Sequence, residues 1–250
     1  MFKDRAAVMI MELSIHIFIA KFSALTATRL RRLLTGMSPQ RVNKVMQRNP
    51  YDPNSYSWFN LNIDVTAAVR PEVVAGLELQ DGMGVWVFKP QDILTPQWLA
   101  DNTIDILHVY VFQRTVTRSD PEAHVDRYGD QSADLLDPQH WMNAPAAINW
   151  CFGEDDRPQK WYRDAGHPGV INTFHSSLGI AGGYTTWPVS QLTMVDQCLI
   201  GNTARLIRID QPHSISAGTG LRTSISLRLP PWTMNWAEIV KHFSHLISID

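Results

Sequence analysis

A histidine and a carboxylate two positions apart can share one metal ion when they lie on a β-strand. Of the nine histidines, only His124 has an acidic residue two positions later, in His124-Val125-Asp126. Residues i and i+2 of a strand point to the same face of a sheet, so both side chains could reach one ion. Chance alone gives about 0.9 such pairs in this composition, so the pair needs support from elsewhere in the chain.

That support comes from a segment near the end of the chain. Gln211-Pro212-His213 follows an expected strand, and a strongly alternating stretch begins nine residues after His213. One face of this stretch would carry only polar side chains: Arg222, Ser224, Ser226 and Arg228. A buried polar face is costly unless its groups find partners. We therefore expect this face to line a wet or ligand-filled barrel interior, with the apolar face packed under helices.

Two histidines and one carboxylate from separate strands form the facial triad of non-haem Fe(II) oxygenases. The triad leaves three positions open, two for a bidentate 2-oxo acid and one for oxygen. An arginine deeper in the barrel would pair with the far carboxylate of that acid. Arg222 suits this role, with a hydroxyl added by Ser224, and Arg228 on the same face is a rival anchor.

These segments, in this order, resemble the Fe(II)/2-oxoglutarate-dependent dioxygenases, over roughly residues 105–230. The closest branch holds the aspartyl/asparaginyl β-hydroxylase-like proteins, with small bacterial and phage members. The resemblance rests on the segments His124–Asp126, Ala146–Trp150, Lys160–Tyr162, Asn202-Thr203, Pro212–Ser214 and Arg222–Arg228.

The resemblance implies a double-stranded β-helix fold with His124, Asp126 and His213 as Fe(II) ligands. It implies Arg222 as the 2-oxoglutarate anchor, Ser224 as a secondary anchor and Asn149 in the co-substrate pocket. The implied reaction hydroxylates an unactivated C–H bond of an amino acid or peptidyl residue, using O2 and releasing succinate and CO2. A carboxylate at Asp126 leaves no ligand position for halide, which favours hydroxylation over halogenation, while desaturation or cyclisation stays open.

Substrate contacts are expected in two loop-like regions, residues 127–145 and 153–185. Five aromatic residues fall there and suggest an aromatic-walled substrate mouth: Trp141, Trp161, Tyr162, Tyr184 and Trp187. Trp141, Trp161 and Tyr162 are the candidate substrate residues; packing at the barrel rim is the alternative for Trp161 and Tyr162. The stretch 127–145 is longer than the family pattern, and predicts either a lid over the substrate or a surface insertion.

The remaining pattern predicts one mainly β domain over residues 1–250, a jelly-roll or cupin-like core. Residues 1–83 are read as mostly helical, with a helix from Ser38-Pro39 to about Arg48 and a loop over residues 49–62. Residues 84–230 form the β core, interrupted by a short helix that opens at Thr95-Pro96. Residues 235–250 form a closing helix, with Asn235 as its N-cap.

Composition narrows the function classes. The chain has 250 residues, 44% of them hydrophobic, and a formal net charge of −2. That balance excludes a disordered chain and gives no basic field for general nucleic-acid binding. Two cysteines form no disulfide framework and favour a reducing cytoplasm, and the interrupted apolar run of residues 6–20 predicts neither export nor membrane insertion.

Two other functions are compatible with the sequence. The chain could be a non-catalytic cupin-like binding module, or a zinc-dependent hydrolase that uses the same His/Asp/His site, because those ligands also suit zinc. For both the oxygenase and the hydrolase, the expected substrate is a small molecule or a peptide. The sequence gives no oligomeric state.

Overall fold

The computed structural model describes residues 52–80, 82–117, 122–129, 141–143, 145–153, 157–163, 166, 168–175, 181–216, 218–230 and 234–248. The chain divides into two compact units, and the smaller contributes only Arg70–Leu77 to these residues, with the short helix α1 (Pro71–Ala75). The other described residues belong to the larger unit. The prediction of a single domain stays a prediction.

The described part of the larger unit is built mainly from antiparallel strands. Three more helices are α2 (Pro90–Ile93), α3 (Pro96–Asp101) and α4 (Trp236–His242). The strands are β1 (Trp58–Asn60), β2 (Met83–Phe88), β3 (His108–Thr117), β4 (Glu122–Gly129), β5 (Trp141–Asn143), β6 (Ala146–Gly153), β7 (Pro158–Arg163), β8 (Val170–His175), β9 (Ala181–Pro188), β10 (Thr193–Leu199), β11 (Arg205–Arg208), β12 (His213–Ile215) and β13 (Gly218–Arg228).

These strands form two sheets. The first has the order β1-β11-β6-β13-β3-β2, and the second has the order β10-β7-β12-β4-β9-β8, with β5 paired to β4. Each sheet contains four strands of an eight-stranded core, β3, β4, β6, β7 and β10 to β13. If these eight core strands are numbered one to eight along the chain, the first sheet has the order one, eight, three, six. The second sheet has the order two, seven, four, five. This arrangement is a jelly roll, so the predicted fold class is confirmed.

The register of the first sheet places the polar face of β13 in the barrel interior. Ser224 lies opposite Phe112 and Cys151, and Ser226 lies opposite Tyr110 and Asn149. Directly opposed residues of an antiparallel pair share one face. The interior face therefore runs as two adjacent rows across β3, β13 and β6, as the alternation in β13 predicts.

Tryptophans from the helices cover the other face of the first sheet. Trp98 of α3 lies with its ring 6.4 Å from that of Trp150, and Trp236 of α4 lies 6.1 Å from Phe59. The Trp236 Nε1 donates to two backbone carbonyls, which satisfies its buried polar group. The predicted packing of a C-terminal helix on the core is confirmed.

Several predicted boundaries need correction. Residues 52–62 contain a 3-10 turn and β1 rather than loop alone, and the region 153–185 contains β7, β8 and the start of β9. The closing helix ends at His242 instead of extending through residue 250, although Phe243 and Ile247 remain buried. Of the residues 1–83 predicted to be mostly helical, those from 52 onward hold only α1 and a 3-10 turn as helix. The helix predicted near Ser38 and the apolar run of residues 6–20 lie outside the described residues.

Candidate metal centre

The structure brings the three predicted ligands together at neighbouring positions of β4 and β12. His213 lies directly opposite His124 in the ladder, and their ring centroids are 4.4 Å apart. His124 Nε2 is 3.8 Å from Asp126 Oδ1. One potential ligand atom from each of the three residues lies within 4.8 Å of the other two. The set therefore has the composition and closeness of a 2-His-1-carboxylate metal site.

A backbone hydrogen bond fixes the tautomer of His213. Its Nδ1 lies 2.9 Å from the carbonyl oxygen of Gln211. A carbonyl oxygen only accepts, so Nδ1 must donate its proton. The lone pair of the neutral ring is then on Nε2, the usual arrangement of a metal-binding histidine.

The electrostatics hold all three groups in the protonation state that a metal requires. Burial lowers the pKa of His213 to about 4, assisted by the neighbouring His124, and burial also lowers the pKa of His124. Burial by itself would raise the pKa of Asp126, but the Arg228 guanidinium and the two imidazoles outweigh it and lower that pKa to about 2. At neutral pH the site holds two neutral imidazoles and one carboxylate, so a metal would displace no proton from them.

Arg228 contacts Asp126 from the opposite sheet. Its Nη1 donates to Asp126 Oδ2 over 2.6 Å, and its guanidinium carbon lies 5.0 Å from the centroid of the Tyr110 ring. The sequence suggests Arg228 only as a rival co-substrate anchor. The structure gives it a protein carboxylate as a partner instead.

Arg222 and Ser224 lie further along the same interior face, where they contact each other and a cysteine. Arg222 Nε donates to Ser224 Oγ over 2.8 Å, and Nη2 donates to Cys151 Sγ over 3.1 Å. Ser224 Oγ and Cys151 Sγ are also 3.1 Å apart. Arg222 is only 3% exposed, so its charge lies inside the barrel. The predicted pair is thus brought together, and Cys151 is a member of this group that sequence reasoning missed.

Polar atoms lie between this pair and the Arg228 end of β13. Tyr110, Ser226 and Asn149 stand side by side on β3, β13 and β6. Within the described part of the chain, the Tyr110 hydroxyl, Ser226 Oγ and Asn149 Oδ1 are buried and make no hydrogen bond. Such atoms are costly unless a ligand or water satisfies them, so this row fits a polar ligand. Asn149 lies in this row, and its part in binding a co-substrate stays a prediction.

The candidate substrate residues have other surroundings. Trp161 lies opposite His213, is 0% exposed, and donates from Nε1 to the Arg208 carbonyl. Tyr162 is also buried, with its hydroxyl 3.0 Å from Ser214 Oγ. Both positions favour packing over substrate contact. The side chain of Trp141 lies outside the described residues.

Residues of β9 lie beside the triad instead. Tyr184 lies opposite Asp126, and its ring centroid is 6.3 Å from that of His124. Thr186 lies opposite His124. The His124 side chain is 37% exposed, so solvent reaches this part of the triad. The aromatic content of this region pointed to Tyr184, but the sequence could not show that β9 pairs with β4.

No protein-family model matches this chain, and no curated protein matches it. Among solved structures, a crystal structure of the vicilin from Solanum melongena matches at a TM-score of 0.28 and 11% identity. The match covers 68% of this chain and 41% of that one. A score this low carries no weight for fold or function, so the fold assignment rests on the strand order. Among the described residues, no helix is long and apolar enough to cross a membrane.

Proposed function

We propose that the protein is an Fe(II)- and 2-oxoglutarate-dependent oxygenase that hydroxylates an unactivated C–H bond. The observation that carries this proposal is the triad itself: neighbouring positions of β4 and β12 bring two imidazoles and a carboxylate within 4.8 Å of one another. The resemblance in sequence supplies the reaction class. Bound iron and 2-oxoglutarate would supply the oxidising power, with one oxygen atom of O2 going to succinate, the other to the product, and CO2 released.

The residues divide the work between two places in the barrel. His124, Asp126 and His213 would hold the metal and leave three of its positions open. Arg222, steadied by Ser224 and Cys151, would bind the far carboxylate of the co-substrate as a charge-assisted pair. The row of Tyr110, Ser226 and Asn149 would hydrogen-bond its polar atoms in a site that excludes water.

The resemblance favours an amino acid, free or as a residue of a peptide, as the substrate. Such a substrate would enter beside Tyr184 and Thr186, where His124 is partly exposed. A screen of free amino acids against peptides, read out as succinate formed, tests this class. Nucleotides serve as the comparison set, because the chain lacks a basic field for them.

The deciding experiment adds Fe(II) and 2-oxoglutarate to the protein without oxygen. We expect the visible charge-transfer band of a chelated 2-oxo acid, and succinate above background once oxygen is admitted. His124→Ala should lose both signals, whereas His245→Ala, a change at an exposed histidine near the end of the chain, should keep them. Arg222→Ala should bind Fe(II) normally but require at least about tenfold more 2-oxoglutarate, since it loses a charge-assisted pair.

The same experiment separates the competing functions. A wild-type protein that binds metal but gives no band and no succinate is not a 2-oxoglutarate oxygenase. Zinc-dependent hydrolysis that disappears in His124→Ala would identify the hydrolase instead. Absence of metal binding would leave the non-catalytic barrel.

A further inference from the structure

The two oxygens of Asp126 face different partners. Oδ2 accepts a 2.6 Å hydrogen bond from Arg228 Nη1, while Oδ1 lies 3.8 Å from His124 Nε2. The side chains of Arg228 and Asp126 are 8% and 19% exposed, so their pairing is only weakly screened by water. Oδ1 is therefore the oxygen turned toward His124.

From this geometry we infer that Arg228 is a positioning residue that makes Asp126 a one-oxygen ligand. With one lone pair of Oδ2 engaged by a guanidinium, coordination of an ion through both oxygens would compete with this hydrogen bond, so coordination through Oδ1 alone is favoured. A two-oxygen Asp126 would consume one of the three positions that the proposed co-substrate and oxygen need. Arg228 would thus preserve open positions on a bound metal without contacting the metal itself.

The surroundings of Arg228 fix its direction. Its guanidinium lies over the Tyr110 ring, at 5.0 Å, and its backbone carbonyl accepts from the Leu107 N–H over 2.8 Å. Arg228 and Tyr110 belong to the first sheet, whereas Asp126 belongs to the second. The ligand carboxylate is therefore held from across the barrel, and the pairing of β4 with its own neighbours does not set its orientation alone.

This inference rests on the metal triad of the proposed function, but not on the co-substrate or on turnover. It can be tested with Co(II) alone, which reports coordination through its visible absorption. If succinate is never formed, the inference still stands or falls on Co(II) binding. If it fails, the triad and the oxygenase proposal are unaffected.

The experiment measures Co(II) affinity and the Co(II) spectrum of purified variants, with thermal melts to confirm folding. Arg228→Met should bind Co(II) about 10- to 100-fold more weakly, the range seen when partners of metal ligands are removed, and should show a changed spectrum. Arg228→Lys retains the charge but not the fork, and should fall between Met and wild type. Tyr110→Leu should weaken binding in the same direction, whereas Tyr110→Phe, which retains the ring, should match wild type.

A matched control removes a similar ion pair elsewhere. Arg208 Nε bonds Asp210 Oδ1 over 2.6 Å, outside the triad. Arg208→Met should leave Co(II) affinity and spectrum unchanged. Wild-type affinity in Arg228→Met, or weaker binding with an unchanged spectrum, would overturn the inference. Should Arg228→Met fail to fold, Arg228→Lys and Tyr110→Leu decide by the same two measurements, and wild-type values in both would overturn it.

Discussion

At the scale of single residues, the site combines groups that the sequence could nominate with contacts that it could not. Period-two spacing was enough to place His124 and Asp126 on one face, and alternation was enough to place Arg222 beside Ser224. The contact between Arg228 and Asp126 joins residues 102 positions apart on different sheets. No local sequence pattern encodes this contact, because it depends on how the two sheets are stacked.

The buried state of His213 predicts a pH dependence of stability for the metal-free protein. The pKa of this imidazole is 6.5 in its ordinary state and about 4 in the fold. Between these values the unfolded chain binds more protons than the folded one, so the free energy of unfolding falls as the pH drops from 6.5 to 4. The loss from His213 should be at most about 3 kcal/mol, and should be absent above this range.

Urea unfolding of the metal-free protein at about pH 7, 5.5 and 4.5 measures this loss of unfolding free energy. His213→Asn retains a donor near the Nδ1 position but cannot titrate, so its stability should fall less over the same window. Equal falls in wild type and His213→Asn would contradict the assignment. The residual fall in the variant then reports the other titrating groups, His124 among them.

At the scale of elements, the sequence predicts strands with clear alternation, such as β13, but not β7, β8 and β9, which lie in a stretch expected to be loop-like. β13 alternates polar and apolar residues and was placed within a few positions of its true start. β9 begins Ala181-Gly182-Gly183, and glycine is disfavoured in strands, so the sequence favours a loop there. Its pairing with β4 supplies the geometry that overrides local preference, and pairing cannot be read from one strand alone.

Helix α4 gives a prediction that separates stability from the site. Its N-terminus has a complete capping box between Asn235 and Glu238, and Trp236 packs on Phe59 on the outer face of the first sheet. Trp236→Ala should cost about 3–5 kcal/mol of unfolding free energy, as a large buried aromatic does. Co(II) affinity of the folded fraction should not change, because the triad belongs to the other sheet.

Denaturant unfolding and Co(II) titration of the same preparations check this expectation. Lys241→Ala, at an exposed position of the same helix, should leave both quantities within about 0.5 kcal/mol of wild type. A Trp236→Ala protein that remains fully folded yet binds Co(II) much more weakly would show that the helix supports the site directly.

At the scale of the whole molecule, the metal site is connected to both sheets. The triad joins β4 to β12, and the ion pair of Asp126 with Arg228 continues from β4 to β13. The fold class could be predicted from the sequence, since short β-rich segments without intervening helices indicate a sandwich or jelly roll. Which strands become neighbours could not, because that depends on pairings between residues far apart in the chain.

Metal binding should consequently stabilise the entire β core and not only the strands that supply ligands. A metal that binds only the folded chain adds about 2.7 kcal/mol at a free concentration one hundred times its Kd. For a chain of this size that corresponds to a rise in Tm of about 5–10 °C. Differential scanning calorimetry with Co(II), followed by excess chelator, measures the rise and its reversal.

His124→Ala should lose the rise while it keeps a cooperative transition, because its side chain is partly exposed and its loss leaves no large cavity. A rise of equal size in His124→Ala would place the stabilising metal elsewhere in the chain, and a rise confined to one of two separate transitions would show that the two sheets unfold independently.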